Sequence, residues 1–382
     1  MNYVERPGFE KLIRQSLKRN PVTAILGPRQ CGKTTLARVI AGKESSANWF
    51  DLEDPLDESL LTDMPKSSLQ QSGLVVIDEI QRLPDLFKTL RVIVDSQKSN
   101  SRFLILGSAS PDLLRTSSES LAGRIGFVDL SGFSLEEVGM GNMGKLWLRG
   151  SFPKSFLANA TEESYQWRLD FIRTFLERDL RNLGINIVPS AMRRFWTMLA
   201  HFHAKVWSGA GLARSLGVSE STVRRYLDIL TGAYMVRQLQ PWHENLKKRQ
   251  VKSPKILIRD TGLLYALLGI QNDQQLNVHP ASGPSWEGFI IEQIISLAGQ
   301  NFDFYFWNTH SGAELDLLFF KNGSRIGFEI KRTEKPKISR SMRIALNDLH
   351  LDKLYLVYPG NRRLMAEEKI EFFPAAMLDA IF

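Results

Sequence analysis

The sequence contains a single cysteine, Cys31, among its 382 residues. One thiol excludes an internal disulfide framework and any zinc site built from several cysteines. No apolar run approaches the roughly 20 residues that span a bilayer. The first residues, MNYVERPGFEKLIRQ, mix charged and apolar side chains and lack the apolar core of a secretory signal. We therefore expect a cytoplasmic protein with no membrane partner.

Positive charge is unevenly distributed along the chain. The formal net charge is +8, yet the stretch from Arg168 to Lys255 alone holds 16 Lys and Arg against six Asp and Glu, a balance of +10. The rest of the chain therefore carries −2. Such a local excess favours a polyanion such as DNA as a partner of this segment. A solvated basic helical surface is the alternative interpretation.

The pattern of apolar and polar residues divides the chain into three predicted domains, called modules below. Residues 1–145 alternate short apolar runs with helical patterns, which predicts an α/β domain with a parallel sheet covered by helices. Residues 146–255 have helical periodicity and include a winged helix-turn-helix at about 205–250, and residues 256–382 return to mixed α/β. The strands expected in the first module are Val22–Leu26, Leu74–Asp78, Phe103–Gly107 and Phe127–Leu130.

The segment AILGPRQCGKTT contains the pattern G-x-x-x-x-G-K-[ST] between an expected strand and an expected helix, Thr35–Ala41. Backbone N–H groups of such a loop surround phosphate oxygens, and the helix N-terminus adds partial positive charge. We expect Lys33 to reach the β- and γ-phosphates of ATP and Thr34 to bind Mg²⁺. The expected nucleotide-binding residues of the loop are Gly27, Pro28, Arg29, Gln30, Cys31, Gly32, Lys33, Thr34 and Thr35.

Polar residues after later strands complete the predicted ATPase site. Asp78 and Glu79 end the run LVVIDE, where the first would complete the Mg²⁺ shell and the second would polarise the attacking water. Ser108 follows the run FLILG and is expected to sense the γ-phosphate. Arg124 is predicted to contact the γ-phosphate as an arginine finger, in its own subunit or from a neighbour in a homo-oligomer. A structural salt bridge is the alternative for this arginine.

Nine segments along the chain carry a family resemblance. In order they are GPRQCGKTTLAR, FDLEDP, VVIDEIQRLPDLFKTLR, FLILGSASPDLLR, ESLAGR, LSGFSLEEV, RGSFPKSF, FLERDL and RDTGLLYALLG. This chain resembles the prokaryotic AAA-type P-loop ATP-binding proteins with a C-terminal domain of unknown function. The resemblance covers nearly the whole chain and implies the fold and the ATPase class, with ATP and Mg²⁺ as cofactors. It implies no physiological role.

The basic middle contains a helix-turn-helix pattern. GLARSLGVSESTVRRYLDIL (Gly211–Leu230) places Gly217 at the turn and Ser219 where it can cap the second helix. A strand over Ala233–Trp242 and a basic wing in ENLKKRQVK complete the winged-helix prediction. A lid or protein-contact role is the alternative. The residues expected to contact DNA are Ser221, Thr222, Arg224 and Arg225.

Acidic residues recur in the last module. Glu287 lies on an expected helix, Asp316 interrupts the apolar run AELDLLFF, and Glu329 and Lys331 share one face of the strand FEIKR. Charges inside apolar strands usually need a partner or a metal. This order is similar to that of the PD-(D/E)xK nucleases. The similarity implies a restriction-endonuclease-like domain with Asp316 and Glu329 on Mg²⁺ and Lys331 orienting the attacking water.

Three functional hypotheses remain open at this point. The first is an ATPase that couples nucleotide state to DNA binding and Mg²⁺-dependent DNA cleavage. The second is a nucleotide-driven switch that binds protein or nucleic acid through a catalytically inactive nuclease-like domain. The third, with less support, is a transcriptional regulator with an ATP-sensing domain. The first two differ only in what Asp316, Glu329 and Lys331 do.

Overall fold

The computed structural model describes residues 3–96, 101–108, 121–182, 184–245 and 249–382. The chain divides into two compact units, residues 1–133 with 232–234 and residues 134–231 with 235–382. Among the described residues, no helix is both long enough and apolar enough to cross a bilayer.

The first unit is built on a sheet of five parallel strands in the order β2-β3-β4-β1-β5. The parallel sheet predicted from the sequence is therefore confirmed. Strand β2 was not expected, because only Phe50 of its five residues is buried and its sequence lacks an apolar run. The strands are β1 Val22–Gly27, β2 Ala47–Asp51, β3 Gly73–Asp78, β4 Ser101–Ser108 and β5 Ile125–Asp129.

Both faces of this sheet are covered by helices. Residues along β1 alternate between two cores, with Val22 and Ala24 in one and Ile25 in the other. Burial on both faces is the reason the strands are continuous apolar runs. One face packs against α1 Pro7–Arg19 and α2 Lys33–Ala41, and the other against α3 Pro55–Asp63, α4 Pro65–Leu69 and α5 Leu86–Val94.

The second unit begins with helices, as its periodicity predicted. A π-helical turn, Phe175–Asp179, follows α9. The described helices are α6 Leu135–Val138, α7 Met143–Arg149, α8 Pro153–Phe156, α9 Thr161–Thr174, α10 Leu180–Asn182, α11 Pro189–His201, α12 Gly209–Leu216, α13 Glu220–Gly232, α14 Thr261–Leu268, α15 Asp273–Val278, α16 Ser282–Ala298 and α17 Arg340–Asp348.

Helices α12 and α13 lie where the helix-turn-helix pattern places them. Gly217 ends α12 in a left-handed conformation with φ of 70°, which glycine adopts at little steric cost. The hydroxyl of Ser219 accepts a hydrogen bond from the Thr222 N–H at 3.1 Å, so the expected cap is present. Of the basic wing segment, residues 246–248 lie outside the described residues, and the winged-helix assignment stays a prediction.

A nine-stranded sheet forms the rest of the second unit, in the order β13-β14-β12-β11-β10-β9-β7-β8-β6. Gln240 and Pro241 join β7 to β9 in parallel, so strands from both sides of residue 255 belong to one sheet. The module boundary near 255 stays a prediction. The strands are β6 Lys205–Val206, β7 Val236–Pro241, β8 Lys255–Ile258, β9 Phe304–Asn308, β10 Glu314–Lys321, β11 Ser324–Ile330, β12 Lys353–Tyr358, β13 Leu364–Glu367 and β14 Ile370–Pro374.

Strands β9, β10 and β11 form an antiparallel meander, and α17 connects β11 to the parallel strand β12. Leu317 on β10 pairs with Phe328 on β11, which brings Asp316 and Glu329 to the same part of the ladder. The register between β9 and β10 shifts between Leu315 and Leu318, beside Asp316. Such irregularities redirect side chains and are common next to functional sites.

Candidate nucleotide site and carboxylate cluster

Three predicted site residues lie at one edge of the five-stranded sheet. Gly27 pairs with Ser108 at the ends of β1 and β4, and Asp78 pairs with Asp51 at the ends of β3 and β2. Because all these strands are parallel, their carboxyl ends lie at the same edge. The fold thus brings the phosphate loop, the acidic pair and Ser108 together, which is the usual position of ligands in such sheets.

The phosphate loop has two left-handed residues, Gln30 with φ of 63° and Gly32 with φ of 100°. This backbone turns the chain directly into α2, which begins at Lys33. The Lys33 ammonium is buried and donates to the carbonyl oxygens of Gly27 at 3.0 Å and Pro28 at 2.9 Å. The lysine is therefore folded onto its own loop, within reach of anything the loop holds.

The remaining loop residues have different surroundings. Cys31 is fully buried with its sulfur 3.6 Å from the Leu130 carbonyl oxygen, so its side chain belongs to the core and only its backbone can serve a ligand. Thr35 is exposed. Arg29 donates to Glu53 at 2.8 Å and lies 3.8 Å from Glu79.

The predicted magnesium residues are in direct contact. The Thr34 hydroxyl donates to an Asp78 carboxylate oxygen at 2.8 Å. Burial raises the pKa of Asp78 to about 6, although the Thr34 hydrogen bond lowers it. A cation beside this carboxylate would stabilise its charged form. A hydroxyl and a buried carboxylate next to a phosphate loop fit Mg²⁺, which takes oxygen ligands and substrate phosphates.

Gln81 is a site residue that the sequence interpretation missed. Its amide nitrogen donates to a Glu79 carboxylate oxygen and to the Ser108 hydroxyl, the latter at 3.0 Å. Glu79 itself has a left-handed backbone, with φ of 54°. Gln81 thus connects the residue expected to polarise water with the residue expected to sense the γ-phosphate. Its position in VVIDEIQ, two residues after Glu79, is the only signal in the sequence.

Arg124 lies at the opposite edge of the sheet from the phosphate loop. It precedes β5, and its carbonyl oxygen accepts from the Val22 N–H at the start of β1. Five residue steps along β1 separate Val22 from Gly27, a distance of about 17 Å. The Arg124 guanidinium forms two hydrogen bonds with Asp95, at 2.6 and 3.0 Å. In this structure Arg124 forms the salt bridge of the alternative interpretation. Contact with the γ-phosphate, in its own subunit or in a neighbour, stays a prediction.

In the second unit the four predicted residues of the last module form one cluster, the carboxylate cluster, with Lys255 as a fifth member. Asp316 accepts from the Ile330 N–H at 2.9 Å, and Lys331 lies 2.8 Å from Glu329. Glu287, on α16, is joined to Asp316 through Lys255, which contacts both carboxylates. The members of the carboxylate cluster are Glu287, Asp316, Glu329, Lys331 and Lys255.

Lys255 was not predicted as a site residue. It opens β8, its side chain is 6% exposed, and its ammonium lies 2.7 Å from Glu287 and 3.3 Å from Asp316. Burial alone would lower the pKa of Lys255, but the two carboxylates outweigh burial and raise it. The rule that marked Asp316, a charge within an apolar strand, applies equally to the lysine in PKILI and would have found it.

The carboxylate cluster does not fit a divalent cation in this arrangement. One observation favours a bound cation: Glu329 has one buried carboxylate oxygen without a hydrogen-bond partner. A second observation opposes it, because Asp316 already binds the Ile330 N–H through one oxygen and Lys255 through the other. Among the described residues, no group of three or more His, Cys, Asp or Glu side chains is arranged to hold a metal. Burial, followed by the charge of Asp316, raises the pKa values of Glu287 and Glu329.

Family models match three consecutive segments of the chain. An AAA domain matches residues 19–139, a domain of unknown function (DUF8612) matches residues 140–274, and a second domain of unknown function (DUF4143) matches residues 282–378. The resemblance to AAA-type ATP-binding proteins with a C-terminal domain of unknown function is therefore confirmed. The first unit is an AAA-type P-loop domain.

Two relatives are similar over almost the whole chain. They are the uncharacterized proteins Mb2031c of Mycobacterium bovis and Rv2008c of Mycobacterium tuberculosis, each 52% identical over 372 residues, which is 97% of this chain and 84% of the relative. The chain belongs to their family. The Walker-type ATPase PABY2304 of Pyrococcus abyssi is similar in fold, with a TM-score of 0.51 and 16% identity over 70% of this chain and 96% of that one.

In this member of the family, the basic segment presents only part of its charge to solvent. Arg168 is fully buried and donates to the carbonyl oxygens of Leu148 and Gly262, Arg237 pairs with Glu292, and Lys255 belongs to the carboxylate cluster. Exposed arginines remain on α13. The predicted DNA-contact residues there are the exposed Ser221, Arg224 and Arg225 and the half-buried Thr222.

Proposed function

We propose that this protein binds ATP with Mg²⁺ at its phosphate loop, hydrolyses it, and uses the nucleotide state to control DNA binding through its second unit. The main support for ATPase activity is the contact of Thr34 with the buried Asp78, next to a lysine whose side chain folds onto the phosphate loop. A hydroxyl, a carboxylate and an ammonium at one helix N-terminus suit a nucleoside triphosphate with its metal.

Each residue of the nucleotide site has a distinct role in this proposal. Lys33 leaves the carbonyl oxygens of its own loop and binds the β- and γ-phosphates, while Thr34 and Asp78 would hold Mg²⁺. When bound, this cation would neutralise charge on the phosphates. Glu79 accepts hydrogen bonds from the attacking water and orients it. Gln81 positions Glu79. Because Gln81 also contacts Ser108, which is expected to sense the γ-phosphate, the position of the Glu79 carboxylate depends on whether that phosphate is present.

Phosphate release from ATP tests the ATPase. We expect turnover by the wild-type protein and its loss in Lys33→Ala, because the phosphates of ATP lose their contact with the Lys33 ammonium. Lys43→Ala is the matched control, since Lys43 is an exposed lysine whose side chain binds Glu10. A Lys33→Ala variant that hydrolyses ATP as fast as the Lys43→Ala variant would refute the proposed site.

DNA is the partner we propose for the exposed face of α13. Val223, Leu227 and Leu230 anchor the helix from its buried side, so the opposite side is free of core packing. Arg224 and Arg225 are exposed on that side. The capped N-terminus of α13 follows a helix and a turn, the arrangement in which a second helix enters the major groove.

For the carboxylate cluster we propose binding without cleavage. Lys255 already occupies the position between Glu287 and Asp316 where the cation used in phosphodiester hydrolysis would bind. The competing function is DNA cleavage. It is favoured by the meeting of Asp316, Glu329 and Lys331, which the neighbouring strands β10 and β11 bring together and which are the residue types that nucleases of this pattern use.

Incubation with supercoiled and linear DNA separates these two functions. We expect no cleavage in Mg²⁺, with or without ATP, from protein that hydrolyses ATP. Cleavage that disappears in Asp316→Ala and Lys331→Ala, but persists in Arg343→Ala, would establish the nuclease instead. Arg343 is a suitable control because it forms a surface ion pair with Glu367 on another part of the second unit.

A further inference from the structure

The backbone of Lys255 is fixed by strand pairing on both sides of β8. As the first residue of β8 it pairs with Leu239 of β7 and with Val206 of β6, so its strand is an interior strand of the nine-stranded sheet. Its side chain is almost completely buried, and the ring of Phe306 lies 5.6 Å from its ammonium. The ammonium can leave the carboxylates only if the chain around it rearranges.

In the carboxylate cluster two lysines contact three carboxylates. Lys255 contacts Glu287 and Asp316, and Lys331 contacts Glu329. An isolated buried ammonium or carboxylate would be strongly unfavourable, and each stabilises the other only when the geometry allows close contact. The lysine therefore supplies, between Glu287 and Asp316, positive charge that a bound metal would otherwise supply.

We propose that the Lys255 ammonium takes the place of a divalent cation between Glu287 and Asp316 and keeps such a cation out of the carboxylate cluster. This inference deepens the proposed non-cutting role of the cluster and rests on it. A divalent cation bound at Asp316 would lie within a few ångströms of the fixed ammonium, and the repulsion between them would be weakly screened in a buried site. Removal of the ammonium should therefore create a metal site.

Binding of Mn²⁺, followed by the loss of its free electron paramagnetic resonance signal, tests this directly. The full-length protein is used without nucleotide and in a Thr34→Ala background, so that the phosphate loop does not contribute a metal site. We expect Thr34→Ala and Thr34→Ala/Asp316→Asn to bind Mn²⁺ equally, because Lys255 excludes it from the cluster in both. Mn²⁺ binding that Asp316→Asn removes while Lys255 is present would overturn the inference.

The converse variant is Thr34→Ala/Lys255→Met. We expect one additional Mn²⁺ site at least tenfold tighter than any site of Thr34→Ala alone, and its loss when Asp316→Asn is added. Lys252→Met, at an exposed lysine three residues earlier, should add no site. A folded Lys255→Met variant without a new site would also overturn the inference.

The two arms are independent of each other and of the ATPase. Lys255→Met leaves two buried carboxylates without a counter-ion, so circular dichroism is recorded for each variant. If Lys255→Met does not fold, the Asp316→Asn comparison still decides the question with the lysine in place. Since neither ATP hydrolysis nor DNA binding enters the measurement, failure here leaves the proposed ATPase untouched.

Discussion

At the scale of single residues, the nucleotide site depends on how one carboxylate is held. Glu79 has a left-handed backbone and its carboxylate accepts from Gln81, which also donates to Ser108. The strained backbone and the shared amide limit the directions the carboxylate can take. Such restriction is useful for a group that must orient a water molecule beside a phosphate.

The variant Glu79→Gln tests this role. We expect hydrolysis to fall by about 10²- to 10⁴-fold, because the amide cannot accept the proton that the attacking water gives up. ATP binding should change by less than a few-fold, since Lys33, Thr34 and Asp78 are intact. Phosphate release at saturating ATP and titration with a fluorescent ATP analogue measure the two quantities.

Glu53→Gln serves as its control, because Glu53 contacts Arg29 at the rim of the same site. It should retain most of the turnover. A Glu79→Gln protein with wild-type turnover would show that another group activates the water.

At the scale of elements, α16 is fixed against the helical part of the second unit by a close contact. A Cβ atom on Gly288 would lie 2.3 Å from the Nε2 atom of His203, a buried side chain whose Nδ1 accepts from the Ile258 N–H at 3.0 Å. The imidazole cannot retreat without losing that hydrogen bond. Glycine is therefore required at this position by packing, not by its backbone conformation.

We expect Gly288→Ala to destabilise the second unit by about 1–3 kcal/mol, the usual cost of overpacking. The free energy of unfolding from urea titration measures the change. Gly283→Ala is the matched control on the same helix, where an added Cβ meets no atom within 4 Å. It should be neutral or slightly stabilising because alanine favours helix. Equal effects of the two substitutions would contradict the packing argument.

An ion triad joins α16 to the β7–β8 part of the sheet. Glu292 accepts from Arg237 at 2.9 Å and from Arg259 at 3.2 Å. Burial alone would raise the pKa of Glu292, but the two arginines outweigh burial and lower it to about 2. Because the pKa in the folded state lies below the unfolded value, the ionised form stabilises the fold above pH 4.5. That stabilisation is lost as pH falls from 4.5 towards 2.

From this shift we expect Glu292→Gln to lower the free energy of unfolding by about 3 kcal/mol at pH 7. The difference from wild type should narrow as pH falls below 4.5, because Glu292 is then protonated in the unfolded chain while it stays ionised in the fold down to about pH 2. Urea titrations at pH 7 and pH 3.5 measure it. Glu367→Gln removes an exposed pair with Arg343 and should cost at most about 1 kcal/mol. A pH-independent loss in Glu292→Gln would contradict the electrostatic origin.

At the scale of the whole molecule, charge supports the proposed DNA contact in addition to the helix-turn-helix arrangement. The formal net charge of +8 comes from the middle segment, although Arg168 and Lys255 are buried and Arg237 is paired with Glu292. Attraction to phosphates releases counterions, so the affinity should fall linearly with the logarithm of salt concentration.

Arg224→Ala/Arg225→Ala tests this contact. We expect weaker binding to duplex DNA of any sequence and a salt slope smaller in magnitude by about 2, since two phosphate contacts are lost. Fluorescence anisotropy at several salt concentrations provides both numbers. The matched control is Arg343→Ala/Arg363→Ala, which removes two arginines of the last module outside the basic segment. An identical loss in the control would indicate general charge attraction without a contact at α13.

Contiguous motifs could be predicted from the sequence, and contacts between distant segments could not. The phosphate loop and the helix-turn-helix are local, so spacing and composition are enough to recognise them. Arg124 was predicted from the sequence to contact the γ-phosphate as an arginine finger, with a structural salt bridge as the alternative. Its actual position at the other edge of the sheet depends on strand direction, since it precedes β5 whereas the phosphate loop follows β1.

The sequence by itself was enough to predict the proposed nucleotide site, because backbone groups of one continuous segment would bind the phosphates and their conformation follows from local glycines. It also determined which acids of the last module matter, since carboxylates within apolar strands need partners. Only the tertiary structure decided what those partners are. Lys255 is 32 residues from Glu287 and 61 from Asp316, and it reaches both because β8 joins the same sheet as β10. Pairing over such distances is a property of strand order, which no local pattern encodes.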